Sequence, residues 1–283
     1  YEEFLMSKTV KVYWQPGCSS CLKTKEFLKD NGVDFKSVNV LEDKSGFEDL
    51  QRFGVKLVPV VAKGDQWANG AVFRDVAKVA GFDYSSHKML EPQVMADKIK
   101  SINYFAREFL DQIPEDKLDT LLPGRPRSYR QLVYHVFNIP DVFLDRVEHN
   151  KPYTYEALLS ILPKEMKTKS DLMDYGNRVY ERFDKWWKRD GDKVDFDQPG
   201  NVYYGDVNLH EVLERTGWHS GQHVRQINLL LKEKLSINPK KTLDETIFEG
   251  LPMPKNIWDN ERSFSEGSYS GKALSSVEDF KNL

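Results

Sequence analysis

TVKVYWQPGCSSCLKTK, residues 9–25, contains both cysteines of the chain and decides how its first third folds. Thr9 to Trp14 is a β-branched and aromatic run, Gln15-Pro16-Gly17 breaks it, and Leu22 to Asp30 has helical spacing that stops at Asn31-Gly32. The expected order is strand, loop, helix. Downstream, Phe35 to Val40 reads as a second strand, Gly46 to Phe53 as a second helix, and Leu57 to Lys63 as a third strand interrupted by Pro59. A Gly64-Asp65 turn leads to a short fourth strand, Gln66 to Ala68, and Val72 to Val79 closes the unit as a helix before Gly81. This α/β domain is expected to span residues 7–84.

Residues 85–94 are polar and irregular and read as a linker, after which the hydrophobic period changes to that of long helices. The first carries Met95, Ile99, Ile102, Ala106, Phe109 and Ile113 on one stripe. The second, from about Ser128, carries Leu132, His135, Ile139 and Phe143. Leu172, Tyr175, Val179, Phe183 and Trp186 mark the third, and Val212, Thr216, His219, His223 and Leu230 the fourth. Residues 95–235 are therefore expected to form an all-α four-helix bundle, making the chain a multidomain α/β plus all-α protein. Residues 236–283 are rich in Pro, Ser and Asn and read as an irregular tail. Its open uses are covering a pocket, docking the domains or forming a homodimer contact. No functional weight falls on the five residues ahead of Met6.

Bulk composition excludes several classes. Forty-one Lys and Arg against 44 Asp and Glu leave a net charge of −3, so no chain-wide basic field draws in nucleic acid or an anionic membrane. No apolar run approaches the roughly 20 residues that span a bilayer, and the start lacks a secretory pattern, so a cytoplasmic location is expected. Two cysteines are too few for a disulfide framework or a four-thiolate zinc site, which leaves redox chemistry as the leading use of Cys18 and Cys21. At the start of a helix, unpaired backbone N–H groups favour a Cys18 thiolate, and Cys21, one turn on, is placed to resolve a mixed disulfide.

Val10-Lys11-Val12-Tyr13 before the cysteines, Lys23 and Phe27-Leu28 after them, Gly32-Val33, and Val58-Pro59-Val60 together resemble the glutaredoxins over about the first 80 residues, which have a thioredoxin-like fold. The resemblance implies that Cys18 and Cys21 are catalytic and that Tyr13, Val58 and Pro59 bind the thiol substrate, with Pro59 as a cis-proline beside the active cysteine. Two departures leave the identity of the thiol open. Gln15 stands where many members have Lys or Arg, and Ala71-Val72-Phe73 follows Asn69-Gly70 where an acidic residue often holds the γ-glutamyl end of glutathione.

His219 and His223 are four apart and stack on one helical face, while His135 lies on the apolar seam of another helix, so closing the bundle would gather three imidazoles. The stretches around them, Tyr129 to His135 and Trp218 to Gln226, resemble the DinB/YfiT superfamily through His and then H-x3-H-x2-Q, over roughly residues 95–235. That resemblance implies a four-helix bundle with a three-histidine metal site and, in some members, thiol-dependent transfer or isomerisation. The sulfoxide-synthase branch carries H-x3-H-x-E; Arg225 at the last position points away from it. The combined expectation is a metal- and thiol-dependent enzyme, first an S-transferase. Its metal would be divalent, zinc ahead of nickel or iron(II), and its partners glutathione or another small thiol and an electrophilic substrate. The rival expectations are a non-enzymatic metal-binding redox sensor and a thiol-disulfide reductase with a structural bundle.

Overall fold

The computed structural model describes residues 9–123, 125–159, 161–259, 261, 273–276 and 278–279. The residues ahead of Met6, and most of the tail beyond 261, lie outside this description. Among the described residues the chain separates into two compact units. One runs to Lys88 and takes up 254–259 and Glu261; the other comprises Met89–Met253 with 273–276 and 278–279.

In the first unit, β1 (Val10–Trp14) lies at the centre of a four-stranded sheet of order β2-β1-β3-β4, with β2 (Phe35–Asn39) parallel to it and β3 (Val60–Lys63) and β4 (Gln66–Asn69) antiparallel. Successive side chains of a strand alternate between faces, and both faces here are covered. Val10, Val12 and Val61 pack with Leu28 of α1 (Ser19–Asp30) and with Val76 and Ala80 of α3 (Phe73–Ala80). Tyr13, Val38, Val60 and Ala62 pack with Leu50 of α2 (Lys44–Arg52) on the opposite face.

α1 begins at Ser19, three residues earlier than the apolar spacing from Leu22 predicts, because Cys18 is itself the N-cap. β3 begins at Val60 rather than Leu57, since Pro59 has no amide hydrogen to give to the ladder. The Val58–Pro59 peptide is cis. Gly70 closes this corner: its amide donates to Pro59 O at 2.9 Å, and the Thr24 hydroxyl reaches Gly70 O at 2.8 Å. A Cβ at position 70 would stand 2.7 Å from Pro59 Cβ and 2.8 Å from Thr24 Oγ1. Gly70→Ala is therefore expected to destabilise the unit by about 1–3 kcal/mol through overpacking, read as a lower urea midpoint; an unchanged midpoint would show that the corner yields.

The returning segment is held to the first unit by charge. Lys25, 2 % exposed, has its Nζ 2.7 Å from Asp259 Oδ2, 3.1 Å from Glu261 Oε1 and 3.5 Å from the centre of the Trp14 ring. The Glu26 carboxylate accepts from the backbone N–H groups of Lys255 and Asn256. Thus part of the stretch read as an irregular tail supplies the counter-charge for a buried lysine. Removing one partner of a buried pair leaves the other unmet. Asp259→Ala is accordingly expected to lower the stability of the first unit by about 1–3 kcal/mol, with loss of the segment's protection from proteolysis as the check.

The second unit is a bundle of α4 (Pro92–Gln112), α5 (Tyr129–His149), α6 (Lys169–Asp190) and α7 (Leu209–Glu233), in which α4 and α5 each pack on both α6 and α7. α4 starts at Pro92, inside the stretch read as linker. Proline suits the first turn of a helix but adds nothing to the apolar stripe that starts at Met95. Ser128 with Gln131, Thr168 with Asp171 and Asn208 with Glu211 form reciprocal capping boxes that fix where α5, α6 and α7 begin. Asp141, Asp145 and Glu148 crowd one face of α5, and the Arg182 guanidinium of α6 pairs with all three at 2.7–2.9 Å. Among the described residues no helix is long and apolar enough to cross a membrane.

Candidate functional site

Two groups of chemistry-bearing side chains stand out, one in each unit. In the first, Gly17 takes a positive φ of 71° and turns the chain so that Cys18 caps α1. Cys18 Sγ accepts from the Cys21 amide at 3.1 Å, the position in which a helix N-terminus favours a thiolate. Cys18 is partly exposed, whereas Cys21 is wholly buried, and the two are joined in a disulfide. Attack from outside therefore has access to Cys18 and not to Cys21. Val58 is half-buried and Pro59 buried. Tyr13 departs from the thiol-binding expectation: it is 1 % exposed, and its hydroxyl donates to Asp49 Oδ2 at 2.6 Å. Burial, and then this hydrogen bond, raise the phenol far above its ordinary value. Its ring belongs to the α2 face of the sheet and presents no surface to a ligand, because β1 is covered on both sides.

In the second unit, closure of the bundle brings His135 of α5 together with His219 and His223 of α7. One ligand nitrogen from each lies within 4.8 Å of the others, and the ring centres are 4.9–5.2 Å apart. His135 and His223 are 4 % and 1 % exposed, and His219 keeps partial exposure, so the cluster has an accessible side. His223 Nδ1 lies 2.7 Å from Gln226 Oε1; since that oxygen only accepts, the imidazole proton sits on Nδ1 and the Nε2 lone pair is left for another partner. His223 Nε2 and His135 Nδ1 are both buried ring nitrogens with no hydrogen-bond partner. Such orphaned positions are costly unless something fills them, and a divalent ion with nitrogen ligands fits.

The electrostatics agree with ligation by neutral imidazole. Burial first, then the charge of Arg127 and of the other two histidines, holds His135 well below its ordinary value. His219 is lowered by burial, His223, Arg215, Arg127 and Arg125, and His223 falls to about 3 through burial and Arg127, against the opposing Gln226 hydrogen bond. The arginines were not singled out from the sequence. Arg125 and Arg127 lie in a Pro/Gly loop without period, and their signal was the pairing of two cations immediately ahead of the helix that carries His135.

The other histidines stay apart: His210 Nε2 is 2.8 Å from Leu90 O, and His87 and His149 are exposed. Tyr134 stacks on Tyr175 and is core. Arg225 donates to Gln222 Oε1 and faces Glu245.

A thioredoxin-like sheet with a Cys-x-x-Cys pair, followed by a helical bundle with a histidine cluster, defines a two-module thiol-redox protein. The family model for glutaredoxin matches residues 10–67, and that for the DinB superfamily matches residues 106–227. An uncharacterized glutaredoxin-like 8.6 kDa protein in the rubredoxin operon of Clostridium pasteurianum is 40 % identical over 53 residues, covering 18 % of this chain and 71 % of that protein. No solved structure matches significantly. The chain belongs to the glutaredoxin family through its first module, and its second module matches the DinB superfamily over residues 106–227.

Proposed function

We propose that the chain is a thiol-dependent enzyme of the cytosol. Its triad holds a divalent metal, zinc before nickel or iron(II), and promotes transfer of a small thiol such as glutathione onto an electrophilic carbon. Its Cys18–Cys21 pair reduces disulfides or thiol adducts. The observation that carries this reading is the convergence of three imidazoles, two of them buried with an orphaned ring nitrogen and the third, His219, on the accessible side. A divalent ion held there would supply the Lewis acidity that strips a thiol of its proton at neutral pH.

The protein's own residues do the rest. Gln226 holds the His223 lone pair in place, burial and the arginine charge keep the imidazoles unprotonated, and the apolar seam around them keeps most water out. In the transfer, a carbon–sulfur bond forms, the bond to the leaving group breaks with its electron pair, and the thiol proton passes to solvent. At the cysteine pair, the Cys18 thiolate attacks a disulfide sulfur and expels one thiolate; the Cys21 thiolate then attacks Cys18 and expels the second. The intramolecular disulfide so left is returned to the dithiol by a small thiol or an external dithiol.

The test is metal analysis of the full chain together with adduct formation between glutathione and model electrophiles. Near-stoichiometric metal with metal-dependent adduct formation supports the reading. Metal-free protein with full disulfide reductase activity would reduce the bundle to a scaffold. Gln226→Leu, which frees the His223 tautomer, is expected to weaken metal binding about 10–100-fold, measured by competition with a chromophoric chelator.

A further inference from the structure

Several buried and half-buried cations in this chain meet oxygen acceptors: Lys25 meets Asp259 and Glu261, Arg182 meets Asp141, Asp145 and Glu148, and Arg146 meets Gly200 O, Pro199 O and Asn150 Oδ1. Arg127 breaks the pattern. Its side chain belongs to a residue only 8 % exposed, and its Nη1 is buried with no hydrogen-bond partner. Among the described residues, the charges that bear on the guanidinium are a second cation, Arg125, and the phenol of Tyr155, with no carboxylate among them. Its own charge bears on all three histidines of the triad, so it lies within electrostatic range of them. On the Arg215 side, where that cation lies over the Tyr204 ring and acts on His219, the Tyr204 hydroxyl is a second buried polar group without a partner.

A guanidinium cannot shed its charge at neutral pH, so the usual escape of a buried titratable group is closed to it. A fold that keeps such a group uncompensated in its interior is complete only when an anion arrives. The planar fork of arginine matches a carboxylate with two parallel N–H···O bonds.

We propose that Arg127 anchors an anion subsite beside the histidine triad, and that this subsite takes the carboxylate of a small carboxylate-bearing molecule whose other end reaches the triad. The inference deepens the function proposed above by fixing the class of its ligand, but the subsite itself does not require the metal. The carboxylate belongs either to the thiol or to the electrophile.

The experiment is calorimetric titration of the full chain, as purified and after chelation, with propionate and with its uncharged analogue propionamide. Propionate is expected to bind at least about tenfold more tightly, and this preference is expected to vanish in Arg127→Met. That variant removes an uncompensated buried charge, so without ligand its melting temperature is expected to equal or exceed that of the wild type. If it does not fold, Arg127→Gln and the wild-type comparison carry the test. Equal binding of propionate and propionamide, or a preference unchanged by both substitutions, overturns the proposal. A preference that persists in protein that binds no metal supports the subsite while removing the metal reading. Metal-loaded protein without the preference removes only the subsite. Once the preference is established, 3-mercaptopropionate binding more tightly than 2-mercaptoethanol, in an Arg127-dependent way, assigns the carboxylate to the thiol. Simultaneous binding of propionate and 2-mercaptoethanol, with no preference between the two thiols, assigns it to the electrophile.

Discussion

Cys18→Ser is expected to lower the rate of disulfide reduction by on the order of a thousandfold, because the hydroxyl that replaces the thiolate is protonated at neutral pH and a poor nucleophile toward sulfur. Cys21→Ser is expected to behave differently. Cys21 is a wholly buried residue of the first turn of α1, whereas Cys18 is partly exposed. Without Cys21 the first attack proceeds and the second does not, so mixed disulfide accumulates at about one per chain and is visible in the intact mass. The reverse pattern, trapping in Cys18→Ser and silence in Cys21→Ser, would reverse the assignment of attacking and resolving sulfurs.

The second large effect concerns the triad. His223→Ala is expected to reduce bound metal to less than about a tenth of the wild-type content, since two imidazoles no longer close the site. The histidines also set a pH dependence in metal-free protein. Each is held below the ordinary value of 6.5, with His223 at about 3. Below pH 6.5 the unfolded chain therefore takes up protons that the folded chain refuses, and stability falls as pH drops from 6.5 toward 3. Above 6.5 these groups contribute no slope. Each histidine adds at most about 1.4 kcal/mol per pH unit. Urea midpoints of chelated protein that stay level between pH 7 and 4.5 would show that the imidazoles are not buried as neutral groups.

Contiguous signals were the legible ones. The β1–loop–α1 unit could be read because strand, breaker, cysteine cap and helix follow one another within 22 residues or so of sequence, each with its own local preference. The triad was legible because the i, i+4 pair of histidines falls within stretches that resemble the DinB/YfiT superfamily, and bundle closure supplies the third.

What failed was non-local. Nothing near Asp259 or Glu261 in sequence says that they neutralise Lys25, more than 230 residues away. The glutaredoxin resemblance points to Tyr13 as a thiol-binding residue, yet period-two alternation points its side chain at Val38 and Leu50. Arg127 carries no local signal, because its meaning lies in a missing counter-charge, and a missing partner is visible only in three dimensions.

X-ray absorption at the metal edge of the full chain, before and after addition of a small thiol, reads the triad's ligands themselves. The expected result is a near-stoichiometric divalent ion with three imidazole nitrogens at about 2.0–2.1 Å, and a new sulfur neighbour at about 2.3 Å once the thiol is present. A site closed by a fourth protein ligand and unchanged by thiol, or no bound metal at all, would contradict it.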